Sequence, residues 1–203
     1  TKRPLSAVCR PTQGLATADN GRFVRSWFEV SQSRIGFGFE NAASAARSQK
    51  KWFPYNKGGA FRKWYGNHDS IVNWENDGYE IKNNYDEKGK LRSRPQNTST
   101  YFKESISWSK ISAGSIAFRL YPCGFIYDVA GTSLFPYDYT HKYFYIGAVN
   151  SIVVKYILNI LAPTLNYEVG QIAILPISEN YNSGVDTLMK SRSEEHTSEL
   201  QSL

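Results

Sequence analysis

The sequence is short of the residues that most enzyme and membrane classes depend on. Two cysteines, Cys9 and Cys123, are too few for a disulfide framework or a four-thiolate zinc site. No apolar run approaches the roughly 20 residues of a membrane span. Eight prolines occur, with no Pro-Pro pair. No P-loop is present: Gly89-Lys90 runs into Leu91 and lacks the leading glycine. Gly36 and Gly38 begin a G-x-G whose third glycine position holds Asn41. There is no His-Glu-x-x-His helix, no Cys/His metal cluster and no nucleophile elbow. His68 beside Asp69 reads as two exposed loop residues, because no third group completes an acid-base constellation.

What is abundant is positive charge and aromatic side chains. The 203 residues include 24 Lys+Arg against 18 Asp+Glu, a net charge of +6, and aromatics make up 15%. Hydrophobic residues at 41% suffice for a core. The basic balance favours an acidic partner, nucleic acid first. The start, Thr1, has no signal-peptide layout and reads as the middle of a longer protein. The end, RSEEHTSELQSL (192–203), resembles the in-frame translation of a sequencing-library adapter and stands outside the fold reasoning. Without it the chain has 23 basic and 15 acidic residues, about +8. Residues 186–203 are expected to be a disordered tail.

The excess charge is concentrated. Residues 44–65 read SAARSQKKWFPYNKGGAFRKWY. Arg47, Lys50, Lys51, Lys57, Arg62 and Lys63 have no acid among them, and Trp52, Phe53, Tyr55, Phe61, Trp64 and Tyr65 are interleaved with them. Lys and Arg neutralise phosphates and release counterions. Trp and Tyr offer faces for unstacked bases. Large aromatics are also the commonest core residues, and that reading is favoured for the rings here. Pro54 and Gly58-Gly59 predict a loop between two short elements. A second basic run, Lys88 to Arg94, ends a polar stretch (66–100) that reads as a long irregular connection.

From Tyr101 the pattern becomes alternating. Ile106 and Trp108, then Ile116, Phe118 and Leu120, then Phe125, Tyr127 and Val129 predict three strands. Residues 143–161 predict one amphipathic helix. Its apolar face would be Ile146, Val149, Val153, Tyr156, Ile157, Ile160 and Leu161, and Pro163 would stop it. Asn166–Ile177 predicts a turn and a final strand. The expected fold class is α+β: a mixed or antiparallel sheet with that helix packed on it, after an irregular N-terminal half.

Five strings carry a family resemblance. KKWFPYNKGGAFRKWYGN, followed by VNWENDG and KGKLRSRPQNTSTYFKESISWS, resembles the region downstream of the catalytic domain in adenine-specific DNA methyltransferases of BREX phage-defence systems, the PglX family. GLATADNGRFVRSWFEV is similar to the linker leaving that domain. NSIVVKYILNILAPTLNYEVGQIAILPI is similar to the closing helix and strand of target-recognition domains, those of type I specificity subunits included. The resemblance spans about residues 10–185. It implies a linker over 1–40, a DNA-contacting segment with a long loop over 41–100, and a target-recognition-like domain over 101–185.

The same resemblance implies an enzyme that methylates the exocyclic amine of adenine in a short DNA site, using S-adenosylmethionine, in a bacterial cytoplasm with no membrane association. Double-stranded DNA is the implied partner, with other phage-defence proteins as a further class. The family's Asn-Pro-Pro-Tyr type motif and cofactor loop have no counterpart here, so this stretch alone is expected to be inactive, with no catalytic or cofactor-binding residue assigned. Lys50, Lys51, Lys57, Arg62 and Lys63 are expected on the DNA backbone, and Arg92 and Arg94 in a groove. Trp52, Tyr55 or Trp64 would shape the site. The competing readings are a stand-alone nucleic-acid-binding module and an aromatic-rich carbohydrate-binding protein.

Overall fold

Alternating apolar residues predict paired strands, and the computed structural model has, among its described residues, two four-stranded sheets and a short ribbon. It describes residues 2–112, 114–164, 166–181 and 183–201. In chain order the elements are β1 (Lys2–Pro4), β2 (Cys9–Thr12), α1 (Asn20–Phe23), β3 (Val24–Ser26), α2 (Ala42–Arg47), β4 (Trp52–Asn56), β5 (Ser70–Asn73) and α3 (Glu75–Lys82). Then come β6 (Ser105–Trp108), β7 (Phe118–Tyr121), β8 (Ile126–Tyr127), β9 (Ser133–Pro136), α4 (Lys142–Val149), α5 (Ile152–Leu161), α6 (Val169–Ala173), β10 (Pro176–Ser178) and α7 (Ser183–Gln201). The class is α+β, as the pattern predicts.

One four-stranded sheet has the order β2-β9-β6-β7, antiparallel throughout. The other has the order β3-β5-β4-β8, with β4 and β8 parallel. β1 pairs with β10, tying the two ends of the described fold together. The first sheet buries Ile106, Trp108, Phe118 and Leu134 against Ile146, Val149, Val154 and Leu158 of α4 and α5. Trp108 is fully buried, and its indole N–H donates to the Tyr167 carbonyl at 2.9 Å. That bond satisfies the one polar atom of a large apolar side chain. The second sheet buries Phe53, Tyr55, Val72 and Ile126 with Phe23, Trp74, Tyr101 and Phe102.

Several sequence expectations change. The N-terminal half is not irregular, since it supplies β3, β4 and β5 to a sheet. Pro54 lies inside β4, opposite Ile71. It is tolerated because β8 pairs with β4 only at Tyr55 and Asn56, so a proline without an N–H breaks no ladder bond on that flank. The expected single helix over 143–161 is two helices bent by 67°. At the bend, Asn150 donates from Nδ2 to the Phe118 carbonyl and accepts the Phe118 N–H, each at 3.0 Å, and the Ser151 hydroxyl caps α5. After the bend the helix turns over. Val154 and Leu158 face inward, while Ile152, Val153, Tyr156 and Ile160 are exposed.

The final predicted strand is preceded by α6. Glu168 and Gln171 form a reciprocal capping box there, which starts a helix where alternation suggested an extended chain. The tail from 186, expected to be disordered, is helical as far as Gln201. Asp186 accepts the Phe144 N–H at 3.0 Å, and Met189 lies over Gly147, so the helix begins docked on α4. The spacings Lys190–Glu194 and Arg192–Glu195 support its continuation. Residues 202 and 203, the last of the adapter-like segment, fall outside the described residues.

Candidate nucleic-acid interface

The basic segment is divided by β4, because a strand carries its two ends in opposite directions. Lys50 and Lys51 precede the strand. Lys57, Arg62, Lys63 and Trp64 follow it. At the first end, Lys50 Nζ donates to the Ser33 carbonyl. Lys51 Nζ lies 3.3 Å from Glu75 and 3.2 Å from Glu80, and Glu80 also meets Arg22 at 3.1 Å. The hydrogen bond from Asn73 and these cations hold the Glu80 carboxyl below its usual range. Lys51, unopposed in the sequence, is neutralised in space.

At the other end, the loop from Lys57 to Asn67 is held at four points. Asn56 is buried, and its Nδ2 donates to Ser107 Oγ (2.6 Å) and the Gly131 carbonyl (2.9 Å), while its Oδ1 accepts the Gly58 N–H (3.0 Å). Gly58 has φ +74°, and a Cβ there would stand 2.7 Å from the Ala130 carbonyl oxygen, so only glycine makes this turn without strain. Further on, the Trp64 N–H donates to the Phe118 carbonyl (3.0 Å) and the Leu120 N–H to the Trp64 carbonyl (2.9 Å). The Tyr121 hydroxyl donates to the Gly66 and Asn67 carbonyls at 3.3 and 3.0 Å.

The fourth tether is Arg119, only 1% exposed. Its Nη1 donates to the Arg62 carbonyl (3.3 Å) and its Nη2 to Ser109 Oγ (3.1 Å). Ser109 in turn donates to the Gly59 carbonyl (2.9 Å). Among the described residues Arg119 forms no ion pair. Burial and the nearby Arg62 charge lower the guanidinium pKa, against a raising influence from Tyr121. A buried cation thus holds the underside of a loop whose outer side presents more cations.

Lys57 is half-buried, while Arg62 and Lys63 are exposed. None of the three forms an ion pair among the described residues. Lys63 shares a groove of about 170 Å³ with Lys155 and the start of α5. Arg94 is two backbones away from the Lys57 turn. Its N–H donates to the Ala16 carbonyl (2.8 Å), while Leu15 accepts from Val129, next to Ala130. Arg92 and Arg94 are exposed and without ion pairs among the described residues. Arg10, bonded to Asn97 at 3.1 Å, adds a cation the sequence did not single out. Lys57, Arg62, Lys63, Arg92 and Arg94 are therefore on loops joined through backbone pairing, and Lys50 and Lys51 are not among them.

The aromatic assignments divide similarly. Trp52 is buried in β4 with the Arg25 guanidinium 5.7 Å from its ring centroid. Tyr55 is fully buried and donates to Asp128 Oδ2 at 2.7 Å, and burial together with Asp128 pushes its phenol well above the usual range. Neither ring can shape an outer surface, and both are corrected to core residues. Trp64 is half-buried against the larger core. Sequence reasoning missed Arg119, because Phe118 and Leu120 alternate and place it on the presumed solvent face. That face is covered by the loop.

Among the described residues no cluster of three His, Cys, Asp or Glu suits a metal ion. The cofactor implied by the resemblance, S-adenosylmethionine, does not fit the glycines here. A Cβ on Gly36 would stand 2.6 Å from the Phe53 ring, so this glycine serves packing and not a ligand cradle. No single described helix is long and apolar enough to cross a membrane.

No protein-family profile matches the chain. It is 39% identical over 188 residues to adenine-specific methyltransferase PglX of Lacticaseibacillus casei (strain Zhang), covering 92% of this chain and 16% of that protein. It is 35% identical over 176 residues to adenine-specific methyltransferase BrxX of Escherichia coli O9:H4 (strain HS), covering 84% of this chain and 13% of that protein. The chain therefore spans under a fifth of these curated relatives. Along nearly its whole length it is a homologue of one segment of the PglX family of adenine-specific methyltransferases.

Proposed function

We propose that this segment recognises double-stranded DNA for an adenine-specific methyltransferase of the PglX type. Methyl transfer from S-adenosylmethionine would be carried out by other parts of the longer protein, and the segment alone would be inactive. The reading places the enzyme in bacterial self-marking for phage defence. The observation that carries it is the tethered loop on which Arg62 and Lys63 are exposed, Lys57 is half-buried, and none of the three forms an ion pair among the described residues. A rigid cationic loop meets phosphates at little entropic cost, because its shape is set before binding. Arg92 and Arg94 are exposed and would supply the groove contact, since Arg is the residue best matched to base edges.

The test is a titration of the 203-residue chain with duplex DNA at rising salt. Each phosphate contact contributes about 0.9 to the slope of log K against log salt. Replacing Lys57, Arg62 and Lys63 together by Ala should lower that slope by roughly 2 to 3. Lys51→Ala should leave it unchanged, since its charge is already matched by Glu75 and Glu80. Affinity indifferent to salt would refute the proposal.

A further inference from the structure

The loop that carries Arg62 and Lys63 continues through Tyr65 to His68 and there forms one wall of a second feature. A cavity of about 440 Å³ is lined by Trp27, Phe37, Tyr65, His68, Pro122 and Phe125, among others. Its aromatic rings come from separate stretches of chain: after β3, before α2, in the β4–β5 loop, and before β8. Trp27 and Phe37 are 52% and 55% exposed, large rings left open to solvent at the cavity. His68 is wedged between rings, with centroids 4.4 Å from Tyr65, 4.8 Å from Tyr121 and 4.9 Å from Phe125. Its Nε2 is buried without a hydrogen-bond partner.

We infer that this cavity receives a single unstacked nucleobase from a bound DNA strand. The inference rests on the DNA-binding reading above and adds a site to it. Three observations converge. The walls are planar rings, which hold any base by stacking. The lining, which also holds Ser70, Cys123 and the Tyr65 hydroxyl, includes the His68 imidazole; burial lowers its pKa to about 4, so it is neutral at pH 7, and its unpartnered Nε2 is one unmet donor or acceptor. The cationic loop and the cavity wall belong to one continuous segment. Gly66, between Tyr65 and His68, packs so closely on Arg62 that a Cβ would stand 2.6 Å from its Cδ. A strand with a phosphate on Arg62 would run along the loop segment that lines the cavity.

The experiment compares a duplex carrying one bulged 2-aminopurine with the same duplex fully paired, at matched salt, by anisotropy and by probe fluorescence. The 203-residue chain should bind the bulged duplex roughly tenfold tighter and quench the probe. Trp27→Ala and Phe37→Ala, at exposed rim positions with little effect on folding, should abolish that preference and the quenching while leaving the salt slope intact. His68→Phe should reduce the preference while keeping the packing. Equal affinity for both duplexes, or a preference that survives both rim substitutions, overturns the base site and leaves salt-dependent duplex binding standing. Loss of salt dependence itself would sink the DNA reading as well. Free 2-aminopurine riboside binding as tightly as the bulged duplex would overturn the strand as the source of the base.

Discussion

Arg119 offers the sharpest test of how the loop is presented. The perturbation is a pair of substitutions, Arg119→Met and Arg119→Ala. Arg119 is a cation taken almost fully out of water with no carboxylate paired to it among the described residues. Its two guanidinium bonds, at 3.3 and 3.1 Å, are long for charge-assisted ones. Burying a charge costs several kcal/mol, so the net stabilisation from the charge is small. Methionine fills a similar unbranched channel and strands little. Ser109 keeps its bond to Gly59, and the Arg62 carbonyl belongs to an exposed residue that water can reach. Arg119→Met should therefore lie within about 1.5 kcal/mol of the parent in urea denaturation. Arg119→Ala empties the channel and should cost about 2 to 4 kcal/mol.

Both variants release the loop. Amide exchange should accelerate at Gly58 and Trp64, and DNA affinity should fall with no change in salt slope, because the outward cations are all retained. If Arg119→Met destabilises as much as Arg119→Ala, the charge itself is compensated in the fold and the tether argument fails. If exchange at the loop does not change, another contact holds it.

Further outcomes follow from burial and backbone geometry. His68, at about 4 when folded against 6.5 ordinarily, binds a proton in the unfolded chain first. Its contribution, at most about 3 kcal/mol, is complete above pH 6.5 and is lost as pH falls towards 4, so a denaturation series across that window should show a slope that His68→Phe flattens. Gly58→Ala meets both a positive φ and the Ala130 carbonyl, and should cost more than about 1 kcal/mol in the same assay while weakening DNA binding. Burial pushes the Cys9 thiol up to about 12, whereas Cys123 is exposed. A thiol reagent should therefore titrate one cysteine in the folded protein and two after denaturation.

How much of this was legible depends on range. The strands around Ile106–Trp108 and Phe118–Leu120 follow from alternation, which is local. The bend at Asn150 was invisible to periodicity because it is fixed by a side chain reaching Phe118, 32 residues earlier. Val153, Tyr156 and Ile160 fit an apolar stripe by spacing, yet the bend leaves them exposed. Charge proved the most misleading local signal. Arg47 to Lys63 contains no acid, but Glu75 and Glu80 arrive beside Lys51 from the next helical turn. The preference for burying the aromatics was sound at Trp52 and Tyr55, and was at odds with assigning the same rings to the site. Of the exposed rings, Phe61 lies in the segment that composition singled out, whereas Trp27 and Phe37 lie in a stretch that composition did not distinguish.

The loop over 57–67 takes its shape from residues that lie far along the chain. Asn56 is held by Ser107 and Gly131, Gly58 by Ala130, Trp64 by Phe118, and the Arg62 carbonyl by Arg119. The strands interleave in the same way: β2 pairs with β9, β4 with β8, and β1 with β10. Bases without acids can be written into any twenty residues, but such a stretch in an unfolded chain binds phosphate weakly, because ordering each residue costs about 1 to 2 kcal/mol. Here that ordering is carried by two cores built from other parts of the chain, against one of which the loop's Trp64 packs. The cationic rim is thus a product of the entire α+β arrangement, and the buried Arg119, which meets no phosphate, is as much a part of it as the cations on the surface.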